Sequence, residues 1–213
     1  SYSDGTAGPR PQANGDRTMN FAPRLGALAL ALALTSLSAL PSHAQTASPG
    51  RFAGYDLPGA GVLLEGIGYD KQRETLYVSG VNDGGRIYRG RLNEEALEVW
   101  LPAGADGRST ARGIDVDDLG HVFVAGGPTG RMWIHSPDGA PRASFTPPAA
   151  TFVNDVAVAP YCAAYFTDSN QPRIWRVAQG TGGAWEASLW LDAAATIPVV
   201  AGFNLGGIVA TPS

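Results

Sequence analysis

One unit recurs along this chain, and its period leaves few folds open. Glu65-Gly66-Ile67-Gly68-Tyr69-Asp70 runs on to LYVSG and RIYRGRL. Arg112-Gly113-Ile114-Asp115-Val116-Asp117 runs on to VFVAG and RMWIHS, and Asn154-Asp155-Val156-Ala157-Val158-Ala159 to AYFTDS and RIWRV. A fourth unit opens at Gly206-Gly207-Ile208. The successive steps between Ile67, Ile114, Val156 and Ile208 are 47, 42 and 52 residues. Each step holds about four short strands, the content of one propeller blade. Alternation within the unit agrees: Leu76 and Val78, like Val122 and Val124, take one face, and Tyr77 and Phe123 the other. Asp117-Asp118-Leu119-Gly120, Asp83-Gly84-Gly85 and Asp138-Gly139 supply the turns between them. The expectation is an all-β chain, a β-propeller of four-stranded blades, with about three and a half blades in this sequence.

Residues 1–18 are polar and rich in Gly, Pro, Asp and Arg; they are expected to be disordered and carry no arguable function. Residues 19–44 read as a signal peptide. Arg24 gives the positive start, Leu25 to Leu40 an apolar run, and Ser42 and Ala44 a small-residue cleavage site. That run is 16 residues, short of the about 20 that span a bilayer. Export to the periplasm or the exterior is therefore expected, with no stable membrane anchor after cleavage. The propeller domain is then 45–213, and a propeller cut before closure would show bare edges and apolar faces at its terminal blades. A net charge of −4 argues against nucleic acid as a partner and leaves a small molecule. The one cysteine, Cys162, rules out an internal disulfide and reads as a buried or incidental thiol.

Comparing repeats locates the candidate site. Glu65, Arg112, Asn154 and Gly206 hold the same place in successive units, at the start of the strands that line a propeller's channel. Their side chains should converge at one mouth. Glu65 and Asn154 offer oxygen donors suited to Ca²⁺ or Mg²⁺, against the plainer alternatives of a solvated carboxylate and an Asx-type turn at Asn154-Asp155. Arg112 either touches substrate or pairs with an acid such as Asp115 or Asp155. Asp168 reads as a turn former, and His121 and His135 as surface or satisfied histidines without ligand spacing. Trp133 and Trp175 occupy equivalent positions, which favours packing between blades over sugar stacking. No Gly-x-Ser-x-Gly elbow follows the signal segment.

Leu64-Glu65-Gly66 with Tyr69-Asp70, Phe152-Val153-Asn154-Asp155-Val156-Ala157-Val158 with Tyr165-Phe166-Thr167-Asp168-Ser169, and Gly202-Phe203-Asn204-Leu205 carry a family likeness. They resemble the senescence marker protein, gluconolactonase and luciferin-regenerating enzyme group, over roughly Tyr55 to Pro212. The resemblance implies a six-bladed propeller with one divalent metal, Ca²⁺ first, at the channel mouth, and hydrolysis of lactones or related esters. It implies Glu65 and Asn154 as metal ligands, with Asn154 and Arg112 touching substrate. The family's next ligand, an Asn, falls on Gly206, where only nearby Asn204 could compensate, and its catalytic Asp falls beyond Ser213, so no catalytic residue is assigned here. Weak metal binding follows. The leading expectation is an exported, metal-dependent lactone or ester hydrolase. The alternatives are a non-catalytic propeller that binds a ligand or partner, and a partial product without activity.

Overall fold

A computed structural model describes residues 54–160 and 163–211; the signal-like segment and Cys162 lie outside them. Three four-stranded antiparallel sheets follow one another along the chain. The first holds β1 (Leu64–Asp70), β2 (Thr75–Gly80), β3 (Ile87–Arg91) and β4 (Glu98–Leu101). A single 3₁₀ turn, Ala105–Gly107, leads to the second: β5 (Ile114–Val116), β6 (Val122–Ala125), β7 (Met132–His135) and β8 (Pro141–Phe145). The third holds β9 (Val153–Ala159), β10 (Ala163–Asp168), β11 (Arg173–Gln179) and β12 (Trp185–Asp192). Each sheet is a simple meander in chain order. The first strands β1, β5 and β9 lie side by side, so the sheets are blades fanned about a common inner edge.

The strand alternation read from the sequence sorts residues between the seams. Tyr77, Ile87 and Leu101 of the first blade meet Ile114, Val122, Val124 and Trp133 of the second. From the second blade's other face, Phe123, Met132 and Ile134 meet Val153, Ala164, Phe166 and Trp175 of the third. Each Val, Leu, Ile, Phe or Met side chain among them contributes about 1.5–3 kcal/mol on burial. Both Trp133 and Trp175 thus pack between blades.

Hydrogen bonds stitch the inner strands across the seams. Gly66 N donates to Ser79 Oγ at 2.8 Å, and Ser79 Oγ donates onward to the Arg112 carbonyl of the next blade. Two seams later, Asp155 N donates to Thr167 Oγ1 at 3.2 Å, which donates to the Gly206 carbonyl at 2.9 Å. At the middle seam the matching position is Ala125, which has no hydroxyl; there Gly113 N reaches the Asn154 carbonyl directly, at 2.9 Å. Residues Gly206 to Ile208 therefore lie where a fourth inner strand would begin. Asp168 is fully buried and binds the chain entering β9, accepting from Thr151 N, Thr151 Oγ1 and Phe152 N, as well as from Asn170 N and Gln171 N in its own turn.

The expectation of bare terminal faces needs correction at the first blade. Tyr55, Leu57 and Val62 cover its outer apolar face, Val78, Tyr88 and Leu97. Asp56 N donates to the Glu95 carbonyl and Leu97 N to the Asp56 carbonyl, both at 2.8 Å, which ties this segment beside β4. Ile67 nevertheless stays exposed, as do Trp190 in the third blade and Val209 beyond it.

Candidate functional site

Two of the four residues singled out by repeat position meet. Arg112 Nη1 lies 3.2 Å from Glu65 Oε1, with both side chains partly exposed. The arginine is held on other sides too. Its backbone N–H donates to the Ala125 carbonyl at 2.8 Å, and its guanidinium lies 5.2 Å above the centre of the Phe152 ring, a cation–π distance. Its stem lies against Gly127, where an added Cβ would sit 3.1 Å from Arg112 Cγ on a backbone at φ +54°. Glycine therefore both permits the turn and leaves the arginine its room. Its buried Nε has no hydrogen-bond partner among the described residues.

The acid that pairs with Arg112 is thus Glu65, not Asp115 or Asp155 as anticipated. Those two carboxylates hold backbone across the seams. Asp115 Oδ2 accepts from Val158 N at 2.7 Å, and Asp155 Oδ2 from Ile208 N at 3.0 Å. Asn154 gives its carbonyl to Gly113, and its half-buried side chain makes no hydrogen bond among the described residues. The hollow along the inner strands is lined by Glu65, Ile114, Asp115, Asp155, Val156 and Ile208, so Asp155 takes the place on it expected of Asn154. A signal for Asp155 existed: it stands where the other repeats carry Gly66, Gly113 and Gly207. Burial pushes the Glu65 carboxyl above its ordinary pKa, against the pull of Arg112 and with a smaller push from Asp155. Burial also raises Asp115, against the amides of Val158 and Val116.

These donors fit a calcium ion poorly. Ca²⁺ takes six to eight oxygens, whereas Glu65 already faces a guanidinium, and Gly206 has no side chain and gives its carbonyl to Thr167. Asn204 does not compensate. Its Oδ1 accepts from Val200 N, and its Nδ2 donates to the Ser169, Val200 and Gly202 carbonyls. Among the described residues no group of three or more His, Cys, Asp or Glu side chains is arranged to hold a metal.

The histidines serve structure. His121 Nδ1 lies 2.8 Å from Asp117 Oδ2 in the β5–β6 turn. His135 is fully buried between the first two blades, its Nε2 2.9 Å from Asp106 Oδ2 and 3.3 Å from Arg108 Nη1. With its proton on Nε2, the neutral ring satisfies Asp106, while Nδ1 has no partner among the described residues. Protonation would bury an unmatched N–H beside a guanidinium, and burial already lowers the His135 pKa. A lowered folded-state pKa means that its stability contribution is complete above the unfolded value, about 6.5, and is lost as pH falls below it. Urea unfolding should therefore show stability falling from pH 7 to pH 5 by at most about 1.4 kcal/mol per unit for this one proton. His135→Gln should flatten that slope; an unchanged slope would clear His135 of the effect.

No protein-family model matches the chain, and no curated protein matches it in sequence. Solved structures do. Virginiamycin B lyase from Staphylococcus aureus aligns over 75% of this chain and 49% of its own, with 15% identity and a TM-score of 0.56. A nidogen/laminin complex aligns over 68% of this chain and 52% of its own, with 18% identity and a TM-score of 0.51. The fold is a β-propeller. A gluconolactonase from Xanthomonas campestris also aligns, over 65% of this chain and 49% of its own, at 18% identity and a TM-score of 0.49, a likeness too slight to bear on activity. This propeller chain spans about half the length of the solved structures it matches.

Proposed function

We propose that the chain belongs to an exported β-propeller hydrolase acting on lactones or related esters, with its substrate seated at the channel mouth. The observation that carries the reading is the meeting of Glu65 and Arg112, drawn from equivalent positions of adjacent blades, beside the open hollow of the inner strands. Arg112 offers N–H donors to a carbonyl or ring oxygen. Glu65, raised by burial, accepts the proton of a water that attacks the carbonyl carbon, and returns it to the departing alkoxide as the ester bond breaks. Export rests on the signal-like segment 19–44.

The test is hydrolysis of a δ-lactone and of a p-nitrophenyl ester by the chain, followed against the buffer rate. Turnover above background is expected, with Glu65→Gln lowering kcat by about a hundredfold. Turnover that is indifferent to Glu65→Gln would reject the assignment. The ion pair itself favours a second reading, because a carboxylate held by a guanidinium is partly neutralised. On that reading the mouth binds its ligand without reaction, and a folded chain with saturable ligand binding but no hydrolysis would select it.

A further inference from the structure

We infer that Arg112 is the resident cation of the channel mouth, standing where a divalent metal would otherwise be needed, so that the site recognises a ligand's carbonyl or carboxylate oxygen without any metal ion. The inference deepens the reading of the mouth as a substrate site and rests on it. Two contacts fix the guanidinium in place, Glu65 Oε1 at 3.2 Å and the Phe152 face at 5.2 Å, and Gly127 leaves the arginine stem the room to reach them. An arginine merely lying on the surface would need none of these. A metal at Glu65 would have to displace the guanidinium from its carboxylate or share the carboxylate with it, and like charges at such range repel.

The donor set points the same way. The fourth-unit position is glycine, its carbonyl already accepts from Thr167, and Asn204 is spent on backbone groups of Val200 and Ser169. Asp115 and Asp155 each already accept from a backbone N–H, and Asn154 does not line the hollow, so at Arg112 itself one carboxylate faces one guanidinium, an arrangement that suits a planar, oxygen-bearing ligand through paired N–H donors. Arg112 Nη1 points at Glu65, and Nη2 makes no hydrogen bond among the described residues. The ligand's oxygen would meet that nitrogen, with the Glu65 carboxylate on its flank.

Calorimetric titration of the 213-residue chain with CaCl₂ tests this without any need for turnover. The wild type should give no binding heat up to millimolar calcium. Arg112→Gln should gain calcium affinity by at least tenfold, and Arg112→Glu by more, because each step frees or adds carboxylate oxygen at the mouth. Thermal unfolding should report the same order, with calcium shifting the variants and leaving the wild type unmoved. Micromolar calcium binding by the wild type would overturn the inference whether or not either variant folds. So would folded variants that bind calcium no better than the wild type. A chain that hydrolyses no lactone yet follows this calcium series would remove the hydrolase reading and leave the resident cation standing.

Discussion

Replacing Gly113 by valine is expected to prevent stable folding. Gly113 lies at the middle seam, where two inner strands meet backbone to backbone: its N–H donates to the Asn154 carbonyl. A Cβ built there would lie 2.5 Å from Asp155 Cα and 2.9 Å from Val156 N. Neither is the far end of a flexible side chain, so the strands would have to part, and the hydrogen bond would go with them. Overpacking a side-chain core typically costs 1–3 kcal/mol. Against backbone the loss should be at least about 3 kcal/mol, a large share of the total stability of a domain. Gly182 supplies the control, with open space at its Cβ position; Gly182→Ala should stay within about 0.5 kcal/mol of wild type. Urea unfolding followed by tryptophan fluorescence distinguishes them. A Gly113→Val chain that unfolds at the wild-type midpoint would show that the seam is looser than described.

Asp168→Ala should cost about 3–5 kcal/mol. The carboxylate is fully buried and receives hydrogens from Thr151 N at 2.8 Å, Thr151 Oγ1 at 2.8 Å, Phe152 N at 3.1 Å, Asn170 N at 3.1 Å and Gln171 N at 3.4 Å. Alanine would strand those donors at once. Asp168→Asn keeps one oxygen acceptor and should lose roughly half as much. The effect should also reach the channel mouth, because Phe152 supplies the ring beneath Arg112. Chemical denaturation gives the stability, and the exposure of Arg112 to an arginine-modifying dicarbonyl reports the mouth. A stability change under about 1 kcal/mol would mean that water replaces the carboxylate at little cost.

The blades were legible because their signal is periodic. The alternation of Leu76, Tyr77 and Val78 fixes which side chain enters which seam, and the spacing of the inner strands fixes how many strands fit between them. The pairing at the mouth was only half legible. Repeat position brought Glu65 and Arg112 to one place, but the choice of Glu65 over Asp115 or Asp155 depends on which carboxylates are already taken. Asp115 and Asp155 are taken by amides of the next inner strand, and long-range backbone hydrogen bonds leave no mark on local composition. Phe152 entered only as the first residue of the motif around Asn154. Its role beneath the guanidinium follows from the turn at Gly127, which lies on another blade. The cover of Tyr55, Leu57 and Val62 over the first blade was missed for a different reason: three large apolar residues in eight, without strand alternation, look like linker.

The hydroxyls of Ser79 and Thr167 bear on how such a chain can be cut and recombined. Each belongs to one sheet, yet it completes its bonding only on the carbonyl that opens the next. A sheet lifted out at its own edges would therefore leave a donor behind and take an orphan carbonyl with it. The transferable module runs from the middle of one inner strand to the middle of the following one. Grafts or duplications spliced inside β1, β5 or β9 would keep each hydroxyl with the carbonyl it serves, whereas splices in the loops between sheets would keep the blades and sever those bridges.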